Sequence, residues 1–200
     1  MRPSMLVLAA SALIAPAASA AVVSVFGAAT QIGNPPIANF PPLSGPVAFV
    51  WDEQQGVSVS GLPCDMTVNP SNSTSPTPGP VFGVLDSHFI HIANFTGTPT
   101  IGGVIFNNPI VGVAYDDLFL DVSDPVVGAF GTVYPTGQSG RGMQFGIVQI
   151  NANVLRFDIP AVPGAMDITQ IRVYTQVPAP GAAALAGLGG LMAFRRRRSS

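Results

Sequence analysis

Between Ala21 and Gln176 the chain never sustains a helical period. Short runs rich in β-branched and aromatic residues are broken every few positions by Gly, Pro, Asn or Asp. The runs are "AVVSVF", "VAFVW", "VSVSGL", "HFIHI", "GGVIF", "IVGVAY", "MQFGIVQI", "VLRFDI" and "QIRVYT". Many alternate apolar and polar residues, the pattern of a strand with one face in a core. In "VLRFDI", Val154, Arg156 and Asp158 should share one face and Leu155, Phe157 and Ile159 the other. Twenty prolines favour many strand ends and edges over long central strands.

The expectation is an all-β fold. A single antiparallel β-sandwich of jelly-roll type over residues 21–176 is the first reading, and a small barrel is the alternative. "MQFGIVQI-NAN-VLRFDI" reads as a hairpin with a three-residue turn, and "TGTPTIGGVIFNNPIVGVAY" as a second pair joined at Asn107-Asn108-Pro109.

The two ends differ from this middle. Arg2, the apolar "MLVLAASALI" and the small-residue "PAASA" form a secretory signal over residues 1–20, with cleavage after Ala20. At the other end, Gly181 to Phe194 carry no charge and Arg195, Arg196, Arg197 and Arg198 follow at once. Fourteen helical residues reach about 21 Å, short of a roughly 30 Å hydrocarbon core. Bilayer thinning and snorkelling arginines can bridge the difference. The arginines place the C-terminus in the cytoplasm and the central domain across the membrane.

With the ends set aside, three arginines face ten carboxylates and no lysine, a balance of −7. Such a domain lacks the clustered cations that phosphate neutralisation requires, so nucleic acid is not an expected partner. The single cysteine, Cys64, cannot form an internal disulfide, and a domain of this size can fold on its hydrophobic core alone.

Three stretches invite a chemical reading. "DSHFIH" holds Asp86, Ser87, His88 and His91, the residue types of a catalytic triad, but triad members converge from separate elements. In a strand the two histidines, an odd number apart, face opposite sides and cannot share a metal. "YDDLFLDVSDP" groups Asp116, Asp117, Asp121 and Asp124, whose oxygens make calcium a candidate ligand, although the spacing matches no EF-hand loop. There Asp117 and Asp121 are expected on one strand face and Asp124 at a turn before Pro125. Trp51, with Tyr115 and Tyr134, could supply a sugar-stacking face, although single aromatics are more often core residues. No G-x-S-x-G, H-E-x-x-H or C-x-x-C occurs, and no cofactor is expected.

The C-terminal stretch, residues 177–200, resembles the PEP-CTERM protein-sorting signal: a proline motif, an apolar helix and a terminal arginine cluster. Val177-Pro178-Ala179-Pro180 stands where "VPEP" is usual, with Ala179 replacing the Glu. Residues 181–194 match the transmembrane helix and 195–198 the cluster. The resemblance implies a Gram-negative bacterium, signal peptidase and an exosortase-type enzyme as processing partners, a transient inner-membrane anchor with the domain in the periplasm, and release to the cell surface or medium. "DSHFIH", "LDVSDPVVGAFGTVYPTG", "RGMQF" and "IRVYT" also resemble the central domain of other exported PEP-CTERM proteins, which has no assigned activity. The function expected is a non-enzymatic, surface- or matrix-associated protein linked to extracellular polysaccharide or the envelope. A carbohydrate- or calcium-binding module is the alternative, and a hydrolase without a local motif comes third.

Overall fold

The computed structural model of the protein describes residues 21–39, 42–67, 77–94, 97–161 and 168–177. The signal segment 1–20 with Ala20, the motif residues Pro178, Ala179 and Pro180, the apolar stretch 181–194 and Arg195 to Arg198 lie outside them. Among the described residues ten strands and one helix follow in chain order: β1 (Val22–Gly27), β2 (Ala29–Gln31), β3 (Ala48–Asp52), β4 (Val57–Thr67), β5 (Thr77–Ala93), β6 (Thr100–Phe106), β7 (Ile110–Ala114), α1 (Asp117–Val127), β8 (Ile147–Asn151), β9 (Val154–Ile159) and β10 (Ile168–Gln176). The protein is mostly β, as its punctuated runs predict. Among the described residues no helix is long and apolar enough to cross a membrane.

Two sheets form. One has the order β1-β6-β9-β8 and is antiparallel throughout. The other has the order β10-β7-β4-β5-β3-β2 and is mixed, because β2 and β3 run parallel. In this second sheet β5 also pairs with β10, from Ile168↔Ala93 to Gln176↔Leu85. The pairings β5–β4, β4–β7, β7–β10 and β10–β5 therefore close into a ring of four strands.

The largest apolar cluster takes Val104, Phe106, Leu155 and Phe157 from the first sheet and Val50, Ile90, Ile92, Ile171 and Val173 from the second. Burying each such side chain contributes roughly 1.5–3 kcal/mol. A smaller cluster of Val59, Leu62, Cys64, Val81, Leu85, Ala114, Val127 and Tyr174 draws on the ring strands and the end of α1. Gly112 belongs there because a Cβ would stand 2.7 Å from Val81 Cγ1 and 2.9 Å from Cys64 Sγ.

Several local expectations hold. In β9, Leu155, Phe157 and Ile159 are buried while Arg156 and Asp158 are exposed. The β8–β9 hairpin forms with a tighter turn than expected: Asn151 pairs with Val154, leaving Ala152 and Asn153 as the turn, with Ala152 at φ 54°. The second expected pair does not form. β6 bonds β1 and β9, whereas β7 bonds β10 and β4, so Asn107-Asn108-Pro109 carries the chain from one sheet to the other.

The acidic stretch is a helix, not a strand and turn. Asp116 caps α1, its Oδ1 accepting from the Leu118 N–H at 2.9 Å. This satisfies an end group that would otherwise lack a partner and sets negative charge at the positive end of the helix dipole. Leu120, Ser123, Asp124 and Val127 face inward at helical spacing, and Leu118, Val122 and Val126 face solvent. Pro125 lies in the last turn, and the helix ends two residues later at Val127; Gly128 caps it, its N–H bonding the Asp124 carbonyl at 3.1 Å. α1 thus mixes Asp124 and Ser123 with Leu120 and Val127 on its inner face while exposing three aliphatics, because that face meets arginines as well as apolar side chains.

Candidate functional site

The acids of α1 meet Arg172 of β10 and the loop from Thr136 to Gly142. Arg172, at the centre of β10, is fully buried. Its Nε and Nη2 donate to the two oxygens of Glu53 at 2.7 and 2.8 Å, a planar two-point match. Nη2 also lies 3.0 Å from Asp124 Oδ1, and Nη1 donates to the Leu120 carbonyl at 3.2 Å and to Ser123 Oγ. The guanidinium stands 4.8 Å from the Phe89 ring and 5.1 Å from the Tyr134 ring.

Glu53 receives two further donors, Ser87 Oγ at 2.6 Å and the Tyr134 hydroxyl. All of its partners come from the chain itself. Burial raises the pKa of Tyr134, and the neighbouring Glu53 charge raises it further, so the phenol keeps its proton. For Arg172 burial acts to lower the pKa, but the Glu53 charge and hydrogen bonds outweigh it and the net direction is upward. The guanidinium remains charged.

Arg141 is the second buried cation. Its Nη1 donates to Asp121 Oδ1 at 2.7 Å and Asp124 Oδ2 at 2.6 Å, its Nη2 to Asp124 Oδ1 at 3.2 Å, and its Nε to Gln170 Oε1 at 2.8 Å. Gln170 passes its own protons to the Ala38 carbonyl at 2.7 Å and to His91 Nδ1 at 3.1 Å. His91 Nε2–H in turn donates to the Leu43 carbonyl at 3.1 Å, which fixes the neutral tautomer. Burial lowers the His91 pKa to about 4, and the Arg141 charge acts in the same direction against the Leu43 bond.

The glycine-rich stretch around Arg141 wraps the acidic face of α1. Asp117 accepts from the Gly140 and Gly142 N–H groups, each at 2.6 Å, and Asp121 from Gly137 N–H at 2.9 Å. Thr136 Oγ1 donates to Asp124 at 2.6 Å. Gly142 has no room for a side chain, since a Cβ would fall 2.1 Å from the Tyr115 carbonyl oxygen.

Asp116, Asp117, Asp121 and Asp124 therefore each hold protein donors. Among the described residues no group of three or more His, Cys, Asp or Glu is arranged to hold a metal ion. Trp51 is fully buried on β3, opposite Phe89 in register, with ring centroids 4.9 Å apart. Its indole is a core residue with no face to offer a surface ligand, and its Nε1 finds no hydrogen-bond partner among the described residues. Tyr115 packs against the core shared by the two sheets and Tyr134 against Phe89, so the three aromatics form no common stacking face.

The "DSHFIH" residues separate along β5 as parity requires. His88 Nδ1 bonds Asp52 at 2.6 Å and Nε2 bonds Thr175 Oγ1 at 3.0 Å, with the ring 4.5 Å from Phe106. Ser87 and His91 face the arginine cluster instead. Asp86 accepts from the Gly56 N–H. Cys64 is buried, and burial, reinforced by Asp65, pushes its thiol up to about 12. A thiol that stays protonated is a poor nucleophile.

Sequence reading expects Arg141 to pair with a carboxylate, as it does, but missed that Asp121 and Asp124 of α1 are its partners and missed the pairing of Glu53 with Arg172 altogether. The available signal was an arginine inside the apolar run "QIRVYT", where an unpaired charge would be costly. Comparison with protein-family models, with curated proteins and with solved structures finds no match.

Proposed function

We propose that the protein is an exported, non-enzymatic component of the cell surface or extracellular matrix of a Gram-negative bacterium. In this reading signal peptidase and an exosortase-type enzyme process it, the inner membrane holds it transiently by residues 181–194, and it associates with extracellular polysaccharide or the envelope. Residues 21–176 then act as a β-sandwich whose two sheets share the cluster around Phe106 and Ile90.

The carrying observation is the fit between the proposed processing points and the strand boundaries. Cleavage after Ala20 would expose Ala21, one residue before β1, with its nitrogen 2.8 Å from Asn107 Oδ1. At the other end β10 closes at Gln176, and the Val177 N–H still bonds the Val84 carbonyl at 3.2 Å. Val177 opens the Val-Pro-Ala-Pro motif. Trimming at these two places would remove no described strand. The self-contained ionic cluster also supports a structural use of the buried acids, since its donors and acceptors come from one another.

Mass spectrometry of the protein recovered from the producing cell's surface and medium tests this. The expected mature chain begins at Ala21 and ends within residues 177–181. Recovery of the intact chain in the cytoplasm alone would refute the reading.

A further inference from the structure

The outer face of the β1-β6-β9-β8 sheet carries polar side chains that the interior leaves unused. Register places Phe26, Gly103, Arg156 and Gln149 in one row across all four strands, and Ile101, Asp158 and Ile147 in the next. Gly103 makes the first row possible: a Cβ there would stand 2.3 Å from Phe26 Cζ, so only a glycine lets the ring lie across the strand. The Arg156 guanidinium stands 5.7 Å from that ring. A depression of about 300 Å³ opens among Phe26, Ile101, Ile147, Gln149, Arg156 and Asp158. A second depression, about 540 Å³, shares Gln149 and Arg156 with it and continues to Asn151.

Arg141 and Arg172 are spent on buried carboxylates. Arg156, Gln149 and Asp158 show no side-chain hydrogen bond or ion pair among the described residues, and all three are exposed. A guanidinium, an amide and a carboxylate side by side offer donors, a mixed group and acceptors in planar arrays. Vicinal hydroxyls of a sugar ring present the complementary set. Phe26, Ile101 and Ile147 supply apolar surface for the ring's C–H faces. The arginine and aspartate charges offset each other, so the site carries no net field that would select an anion. The two adjoining depressions give room for successive units of a chain.

We propose that this face binds a neutral polysaccharide, with Arg156 and Gln149 at the junction between neighbouring sugar subsites and Phe26 as the stacking ring. The proposal rests on the surface-protein reading above and supplies its contact with the matrix.

Affinity electrophoresis of the full chain in mild non-ionic detergent tests it, using gels that contain dextran, a β-glucan or galactomannan, and parallel gels with alginate. At least one neutral polymer should retard the protein. Arg156→Ala, Gln149→Ala and Asp158→Ala should each weaken retention by about tenfold, the loss of one good polar contact, with the urea midpoint unchanged. Retardation that ignores all three substitutions overturns the site while leaving polysaccharide association intact. Retardation by alginate alone overturns the neutral class. Absence of retardation in every gel overturns the proposal, and a dimer in sedimentation that Ile101→Ser dissolves would assign the face to a second copy of the chain. The terminal masses of the exported protein report on the surface reading independently of these outcomes.

Discussion

Glu53 and Arg172, 119 residues apart in the chain, meet in two parallel hydrogen bonds of 2.7 and 2.8 Å beneath the surface. Neither has solvent to fall back on, since both side chains are fully buried. Removing one partner strands the other charge. Glu53→Ala should cost about 3–5 kcal/mol, while the double change Glu53→Leu with Arg172→Met should recover much of that loss. Urea unfolding of the two variants measures both, and a loss below about 1 kcal/mol in Glu53→Ala would show that the pair behaves as an exposed ion pair does.

Acid should weaken the fold through His91. In the unfolded chain its imidazole takes up a proton near pH 6.5, in the folded chain only near pH 4. Between those values the unfolded state binds more protons, so stability falls as pH drops through this window, by an amount on the order of 3 kcal/mol. Comparing urea midpoints at pH 7 and pH 4.5 reads the effect. His91→Gln should flatten the dependence, and an unchanged slope in that variant would remove His91 as its cause.

Cys64 should resist alkylation while the protein is folded. With its thiol pushed up to about 12 and buried in the ring cluster, it lacks both thiolate and access. Iodoacetamide at pH 8 should leave the native protein unlabelled and label it fully in urea. Rapid labelling of the native chain would contradict the buried placement.

Gly142→Ala should loosen the loop that wraps α1. The new methyl would press on the Tyr115 carbonyl, and the Gly142 N–H bond to Asp117 would be lost with any shift. Overpacking of this kind costs roughly 1–3 kcal/mol. Hydrogen exchange should quicken at Gly137, Gly140 and Gly142 before it does in the strands.

Calcium should have little effect on melting. The oxygens of Asp117, Asp121 and Asp124 already accept from Gly140, Gly142, Gly137, Thr136 and Arg141. Chelation followed by millimolar calcium should leave the melting temperature where it was, since an ion that binds only the folded state would raise it. A clear rise would mean that the cluster opens to admit the ion.

Where the sequence was legible, alternation made it so. Leu155, Phe157 and Ile159 read as inward residues because Arg156 and Asp158 stand between them, and the structure agrees. Histidine parity in β5 was legible for the same reason. The helix was not, because its inner stripe mixes Leu120 and Val127 with Ser123 and Asp124, and Pro125 reads as a breaker. β5 begins eleven residues ahead of "HFIHI" and runs through Pro78, Gly79, Pro80 and Gly83, a stretch that looks like loop until β4 is laid beside it. Beyond the arginine inside "QIRVYT", the ionic cluster had no local signature for who pairs with whom, since Glu53, Asp124, Arg141 and Arg172 come from separate parts of the chain. The outer-face groove was half legible: the alternation put Arg156 and Asp158 outside, but only register could set them beside Phe26 and Ile101.

The four-strand ring also sets a timetable. Its closing member, β10, is the last strand among the described residues, yet it lies between β5 and β7 and brings the arginine that neutralises Glu53. Until residues 168–176 are available, the ring stays open and a buried acid lacks its cation. A chain built this way cannot complete its ring from residues 21–167 alone, and the fold locks only when β10 pairs with both β5 and β7. Truncation before Ile168 should accordingly abolish the cooperative unfolding transition, not merely lower its midpoint.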